Sequence, residues 1–202
     1  IGASPEQRHT VLDLARRSAE QLFIPLTIGG GIRSADDIAA TLRAGADKVS
    51  INSAAVSRPA LLAEAAERYG SQCVVISIDA KREGNGWRVY TNGGRARANL
   101  DAVEWATEAV RRGAGEILLT SIDRDGTQSG YDLELTRQIV DNVPVPVIAS
   151  GGAGNPADVA RVIADAGADA ALVAGILHDG FTTVGALKQA IAAAGFPVRV
   201  AA

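Results

Sequence analysis

The chain has 202 residues, 47% hydrophobic and 21% charged, with a net charge of −3 at pH 7. That length buries one sizeable core, so one domain spanning 1–202 is expected. The slightly acidic balance excludes nucleic acid or another polyanion held by bulk electrostatics, so a phosphate must be caught by backbone N–H groups, helix N-termini and a few hydroxyls.

The chain contains no methionine, and Ile1-Gly2-Ala3-Ser4 reads as the end of a strand and its loop. Apolar spacing of 3.6 residues then predicts helices over 5–21, 34–44, 59–69, 100–112, 132–141, 156–166 and 185–194. Between them, β-branched runs predict strands over 25–28, 48–51, 74–78, 116–120, 145–149 and 170–173. This alternation is the signature of βα units around a parallel sheet. After the third strand, Ala80-Lys81-Arg82 leads into a glycine-rich hairpin instead of a helix. Gly45, Gly113, Gly167 and Gly195 stand just past helical stretches, where a left-handed residue closes the helix. Cys73, the one cysteine, excludes an intrachain disulfide, suits a reducing compartment and opens an apolar run as a small buried hydrophobe. No run of 18 apolar residues and no signal peptide is present, so a soluble, cytoplasmic protein without a membrane segment is expected.

An internal repeat indicates the architecture. Gly30-Gly31-Ile32-Arg33-Ser34-Ala35-Asp36-Asp37-Ile38 followed by Ala44-Gly45-Ala46-Asp47 recurs as Gly151-Gly152-Ala153-Gly154-Asn155-Pro156-Ala157-Asp158-Val159 followed by Ala166-Gly167-Ala168-Asp169. The offset is 121 residues at the glycines and 122 at the Ala-Gly-Ala-Asp. Two copies of one unit half a fold apart are what a duplicated half-barrel gives, so the expected class is an α/β (β/α)8 barrel. Residues 1–71 are the remainder of the first half-barrel and 72–202 the second. The second half holds four strands and the first only two, which predicts that two strands, roughly 50 residues, lie outside this chain. The rival is an open doubly wound sheet of six strands, in which the strand order reverses.

Both glycine loops follow a strand and open a helix, with Ser34 and Asn155 at the N-caps. Glycine lets the backbone approach an anion, and helix N-termini favour negative charge, so Gly30, Gly31, Ser150, Gly151 and Gly152 are candidates for two phosphates. The following strand ends supply Asn52 and Ser53 in one half and Ala174 and Gly175 in the other, which complete an anion nest or simply cap the next helix. Asp79 ends the run Val74–Ile78 at the catalytic face of the barrel, where burial would raise its pKa and suit it to proton transfer. Thr120, Asp125 and Gly126 lie on the next strand end and loop, which either hold substrate hydroxyls or form an ordinary turn. Lys48 and Glu116 start their strands at the opposite end, where a salt bridge is the simplest role. His9 and His178 are the only histidines, so no metal site is expected.

Several segments together resemble one family, the cyclase subunit of imidazole glycerol phosphate synthase. They are Ile24–Arg33, Gly45–Asn52, Ile78–Arg82, Gly115–Thr127 and Ile148–Gly154. The resemblance implies ring closure of a phosphoribulosyl-formimino aminoimidazole carboxamide ribotide with ammonia, giving imidazole glycerol phosphate and aminoimidazole carboxamide ribotide. It implies no cofactor, a substrate with a phosphate at each end, and a separate glutaminase subunit as heterodimer partner. Asp79 then matches one of two catalytic aspartates, the other falling on the first strand, before residue 1. Gly31, Asn52 and Ser53 match one phosphate site, and Asp125, Gly126, Gly152, Ala174 and Gly175 the surroundings of the other. Lys48 and Glu116 match two of four charged residues at an ammonia entrance. The alternatives are the sister isomerase of the same pathway, which needs no ammonia, and a truncated barrel that binds phosphate without turnover.

Overall fold

A computed structural model describes residues 5–199, with side chains from residue 12 onward. The reading of Ile1–Ser4 lies outside the described residues, as does the side chain of His9. In chain order the elements are α1 (Pro5–Ala19), β1 (Thr27–Gly29), α2 (Ala35–Arg43), β2 (Lys48–Ile51), α3 (Ser53–Ser57) and α4 (Ala60–Tyr69). Then come β3 (Val74–Glu83), β4 (Gly86–Thr91), β5 (Ala96–Asp101), α5 (Ala102–Arg111), β6 (Glu116–Ser121) and α6 (Leu133–Val140). The last are β7 (Val147–Ser150), α7 (Pro156–Ala166), β8 (Ala170–Ala171), α8 (Gly175–His178) and α9 (Val184–Ala193).

Six strands pair in parallel in the unreversed order β1-β2-β3-β6-β7-β8. Crossovers of one hand in an unreversed order put every helix on the same face of the sheet, as in a barrel wall. A doubly wound sheet needs a reversal, and none occurs among the described residues. The fold is therefore of the TIM-barrel type.

Side-chain alternation separates the two faces. Val49, Ile51, Ile76, Ile78, Ile117, Leu119 and Val147 are sealed against Ile38, Leu61, Leu62, Trp105 and Ile139 of the helices. Ser50, Ser77, Thr120 and Ser150 lie half-buried on the face turned away from the helices. Apolar burial on the helical face holds the wall together, which leaves the other face free for polar groups.

The repeat extends to individual hydrogen bonds. Ser34 caps α2 by accepting from the Asp37 N–H at 3.2 Å, and Asp37 accepts in return from the Arg33 and Ser34 N–H groups at 2.8 and 3.1 Å. Asn155 and Asp158 do the same on α7, where Asp158 accepts from Gly154 and Asn155 at 3.0 and 3.1 Å. Asp47 accepts from the Leu26 N–H at 2.7 Å, and Asp169 from the Val147 N–H at 2.9 Å. Gly30 and Gly151 share φ values of 89° and 90°. Asn155→Ala removes the acceptor at the start of α7 and should destabilise the protein by about 1 kcal/mol in denaturant unfolding.

Several details differ from the sequence reading. β3 does not end at Ile78 but continues through Glu83 and folds back at the turn Gly84–Asn85. The hairpin β4–β5 therefore joins the sheet antiparallel, giving eight strands among the described residues instead of six; buried Trp87 and Val89 fix β4 to the core. Asp101 caps α5, so Leu100 belongs to β5. The helices α3 and α8 went unpredicted because four or five residues are too few to display a 3.6-residue period. Cys73 is only half-buried, closing the 3₁₀ turn Ser71–Cys73 before β3 begins. The four glycines expected to close helices all have positive φ.

Candidate active site

Asp79 sits where β3 outruns β2: it pairs with Thr120 of β6 on one side and Tyr90 of β4 on the other. Thr120 in turn pairs with Ser150 of β7, so Asp79, Thr120 and Ser150 form one row across three adjacent strands. All three point to the face opposite the helices. The strand period thus gathers into one layer three residues separated by up to 71 positions (150 − 79) in the chain.

Asn52 does not cap the following helix through its side chain. It stands at the N-cap of α3 yet makes no side-chain cap; its Nδ2 donates to Asp79 Oδ2 at 3.0 Å. Its Oδ1 is buried without a hydrogen-bond partner. The Asp79 pKa lies above its ordinary value, chiefly because burial penalises the carboxylate. The Asn52 hydrogen bond opposes this, and the negative field of Asp125 adds to it.

Gly30, Gly31, Asn52, Ser53 and Asp79 line one cavity of about 600 Å³. Ser53 Oγ accepts from the Asn92 N–H at 3.0 Å, which ties the tip of the β4–β5 hairpin to the cavity rim. Sequence reasoning missed further lining residues, among them Arg33, Ser50, Ser77, Asn92 and Gly93. Ser50 and Ser77 were reachable by counting back two residues from Asn52 and Asp79. Asn92 and Gly93 enter only through tertiary folding.

The second glycine loop lies at the ends of β6 and β7, under the loop that carries Asp125 and Gly126. A Cβ on Gly151 would stand 2.8 Å from the Ser121 carbonyl oxygen, and the Gly130 N–H donates to the Gly152 carbonyl at 2.8 Å. Ala174 precedes α8 with φ −129° and ψ −73°, close to the −121° and −93° of Asn52. Ala174 and Gly175 thus occupy the positions in the second unit that Asn52 and Ser53 hold in the first.

At the opposite end of the strands, Lys48 Nζ and Glu116 Oε2 form an ion pair. The two residues come from strands separated by β3, so the pair bridges across the non-helical face. A separate cleft of about 570 Å³, lined by Arg82, Asp123, Arg124, Asp132 and Glu134 among others, contains none of the predicted site residues. Among the described residues no group of His, Cys, Asp and Glu is arranged to hold a metal ion, and no helix is long and apolar enough to cross a membrane.

The sequence profile of the family described as "Histidine biosynthesis protein" matches residues 1–183. The chain is 65% identical over 199 residues to the imidazole glycerol phosphate synthase subunit HisF of Myxococcus xanthus (strain DK1622), covering 98% of this chain and 79% of that protein. It is 54% identical over 200 residues to the subunit of the same name from Dehalococcoides mccartyi (strain ATCC BAA-2266 / KCTC 15142 / 195), covering 99% and 79%. With a parallel barrel-type sheet, a half-buried carboxylate beside a glycine loop, and this identity over nearly its whole length, the chain belongs to the histidine biosynthesis protein family, among the HisF subunits of imidazole glycerol phosphate synthase.

Proposed function

We propose that the chain carries the cyclase chemistry of imidazole glycerol phosphate synthase: ring closure of a bis-phosphate ribotide with ammonia, releasing imidazole glycerol phosphate and aminoimidazole carboxamide ribotide. The observation that carries this reading is Asp79, its pKa raised by burial, sharing a cavity with the Gly30–Gly31 loop. A carboxyl titrating closer to neutrality both accepts and returns a proton, as ring closure requires. Asn52 orients the carboxyl through Oδ2 and leaves its own Oδ1 unpaired.

Gly30, Gly31, Asn52 and Ser53 hold one phosphate, while Ser150, Gly151, Gly152, Ala174 and Gly175, with Asp125 and Gly126, hold the other. Thr120 lies between them in the row with Asp79 and Ser150. Two anion cradles related by the 121-residue repeat match a substrate with a phosphate at each end, and they support a duplicated half-barrel divided near residue 71. No cofactor has a part in this chemistry. The names of the relatives, a synthase subunit in each case, favour the cyclase over the sister isomerase.

Lys48 and Glu116 guard the ammonia entrance at the N-terminal ends of the strands, on the face where a glutaminase subunit docks. Their ion pair across the non-helical face supports a gate that must part for ammonia to pass. In the full-length protein paired with its glutaminase, Lys48→Ala should lower glutamine-dependent turnover more than turnover with ammonium salt. Equal losses in the two assays would assign the pair to stability alone. The reading as a whole is tested by assaying the full-length protein with the bis-phosphate ribotide and ammonium salt, where formation of both products is expected.

A further inference from the structure

The two anion cradles share a backbone but not a charge. Position by position along the repeat, Arg33 of the first unit corresponds to Gly154 of the second, Ser53 to Gly175, Ser57 to Asp179 and Arg58 to Gly180. Arg33, Ser53, Ser57 and Arg58 all line the first cavity. The second unit therefore offers backbone and small residues where the first offers two guanidinium groups and two hydroxyls, and it adds a carboxylate.

Neighbouring groups do not cancel the difference. Arg58 Nη1 is paired with Glu64 at 2.5 Å, which offsets part of its charge and leaves Arg33 as the stronger cation at the first loop. Beside the second loop the Cβ of Arg124 lies against Gly152. Its Nη1, however, donates to Ser129 Oγ at 3.1 Å, within the outer cleft that also holds Asp123, Asp132, Glu134 and Asp158. The backbone of Asp125 stands against Gly151 on the other side and brings no cation to the loop.

We propose that the first glycine loop is the tighter of the two phosphate sites, that Arg33 makes it so, and that this asymmetry fixes which end of the two-phosphate substrate lies beside Asp79. The inference rests on the anion-binding reading of the loops given above and adds a direction to it. A charge-assisted hydrogen bond to phosphate is about twice as strong as a neutral one, so one guanidinium at one loop is enough to separate the two affinities. A substrate with similar ends would otherwise bind in both orientations across a twofold repeat, and only one brings the reacting carbon to the single carboxyl in the first cavity.

Titration of the full-length protein with inorganic phosphate, followed by the backbone amide resonances of Gly30, Gly31, Gly151 and Gly152, tests this directly. The first pair should saturate at phosphate concentrations about tenfold lower than the second, the factor expected from one charge-assisted bond. Arg33→Ala should weaken the first site to the level of the second and leave the second unchanged; Arg33→Lys should restore part of the preference. In turnover, Arg33→Ala should raise KM more than it lowers kcat, as loss of uniform binding does. Equal affinities in the unaltered protein, or a preference that survives Arg33→Ala, would overturn the asymmetry alone. Phosphate shifting neither pair of amides would overturn it together with the anion-binding reading, whereas ring closure in the ammonium assay tests the cyclase chemistry separately.

Discussion

Asp79→Asn should cut ammonia-dependent turnover of the full-length protein by about 10²-fold or more, the contribution typical of one general acid–base group. The substitution is close to isosteric, and the oxygen of the introduced amide can still accept from Asn52 Nδ2, so substrate affinity should change little. The pH behaviour gives a second, independent readout. The folded-state pKa of Asp79 is raised, chiefly by burial. Between its ordinary value and the raised one, the folded protein holds a proton that the unfolded chain has released, so stability falls as pH rises through that window. The amide carries no charge to desolvate. Asp79→Asn should therefore be at least as stable as the parent at pH 8, with a flatter melting temperature across the acid range. Unchanged turnover would remove Asp79 from the chemistry, and an unchanged pH slope would remove the buried charge from the stability balance.

Gly152→Ala should destabilise the fold by roughly 2–5 kcal/mol, the sum of left-handed backbone strain and overpacking. Gly152 has φ 103°, a conformation that a Cβ resists. That Cβ would stand 2.3 Å from the Gly130 carbonyl oxygen and 3.0 Å from Arg124 Cβ. The obstruction is backbone held by the Gly130-to-Gly152 hydrogen bond, so relief requires the loop between β6 and α6 to move. That loop carries Asp125 and Gly126, and phosphate binding at the second cradle should weaken together with stability. Gly175→Ala is the control, because a Cβ there meets open space within 4 Å and stability should be nearly unchanged. Equal unfolding free energies for the two variants, measured in denaturant, would show that the Gly152 contact is not rigid.

The repeat made the fold legible. An echo at 121 residues constrains topology as well as local structure, because two copies of one βαβ unit in a single sheet must cross over with the same hand. The same echo pointed to both glycine loops, and their caps at Ser34 and Asn155 follow from local chemistry that does not depend on distant partners. Asp79 was legible from its place beyond an apolar run, and the two-residue period of the strands carried it to the same face as Thr120 and Ser150.

Other features depended on residues far apart in the chain. The extension of β3 beyond Ile78 was hidden because Ala80-Lys81-Arg82-Glu83 is polar enough to read as a loop; it is a strand because β4 folds back on it and buries Trp87 and Val89. The position of Asn52 left an anion nest and a helix cap both open, and only the approach of β2 to β3 gives its amide to Asp79. Ser53 likewise meets Asn92 across 39 residues.

Local propensity, period and repetition thus determined the order of the strands, the two glycine loops and the candidate carboxylate, since each depends on neighbours within a few residues or on a pattern copied along the chain. The partners of Asn52, Ser53 and Lys48, the crowding at Gly152 and the raised pKa of Asp79 were decided by tertiary structure. Each of these depends on a distance or a burial that exists only after strands remote in sequence have packed side by side.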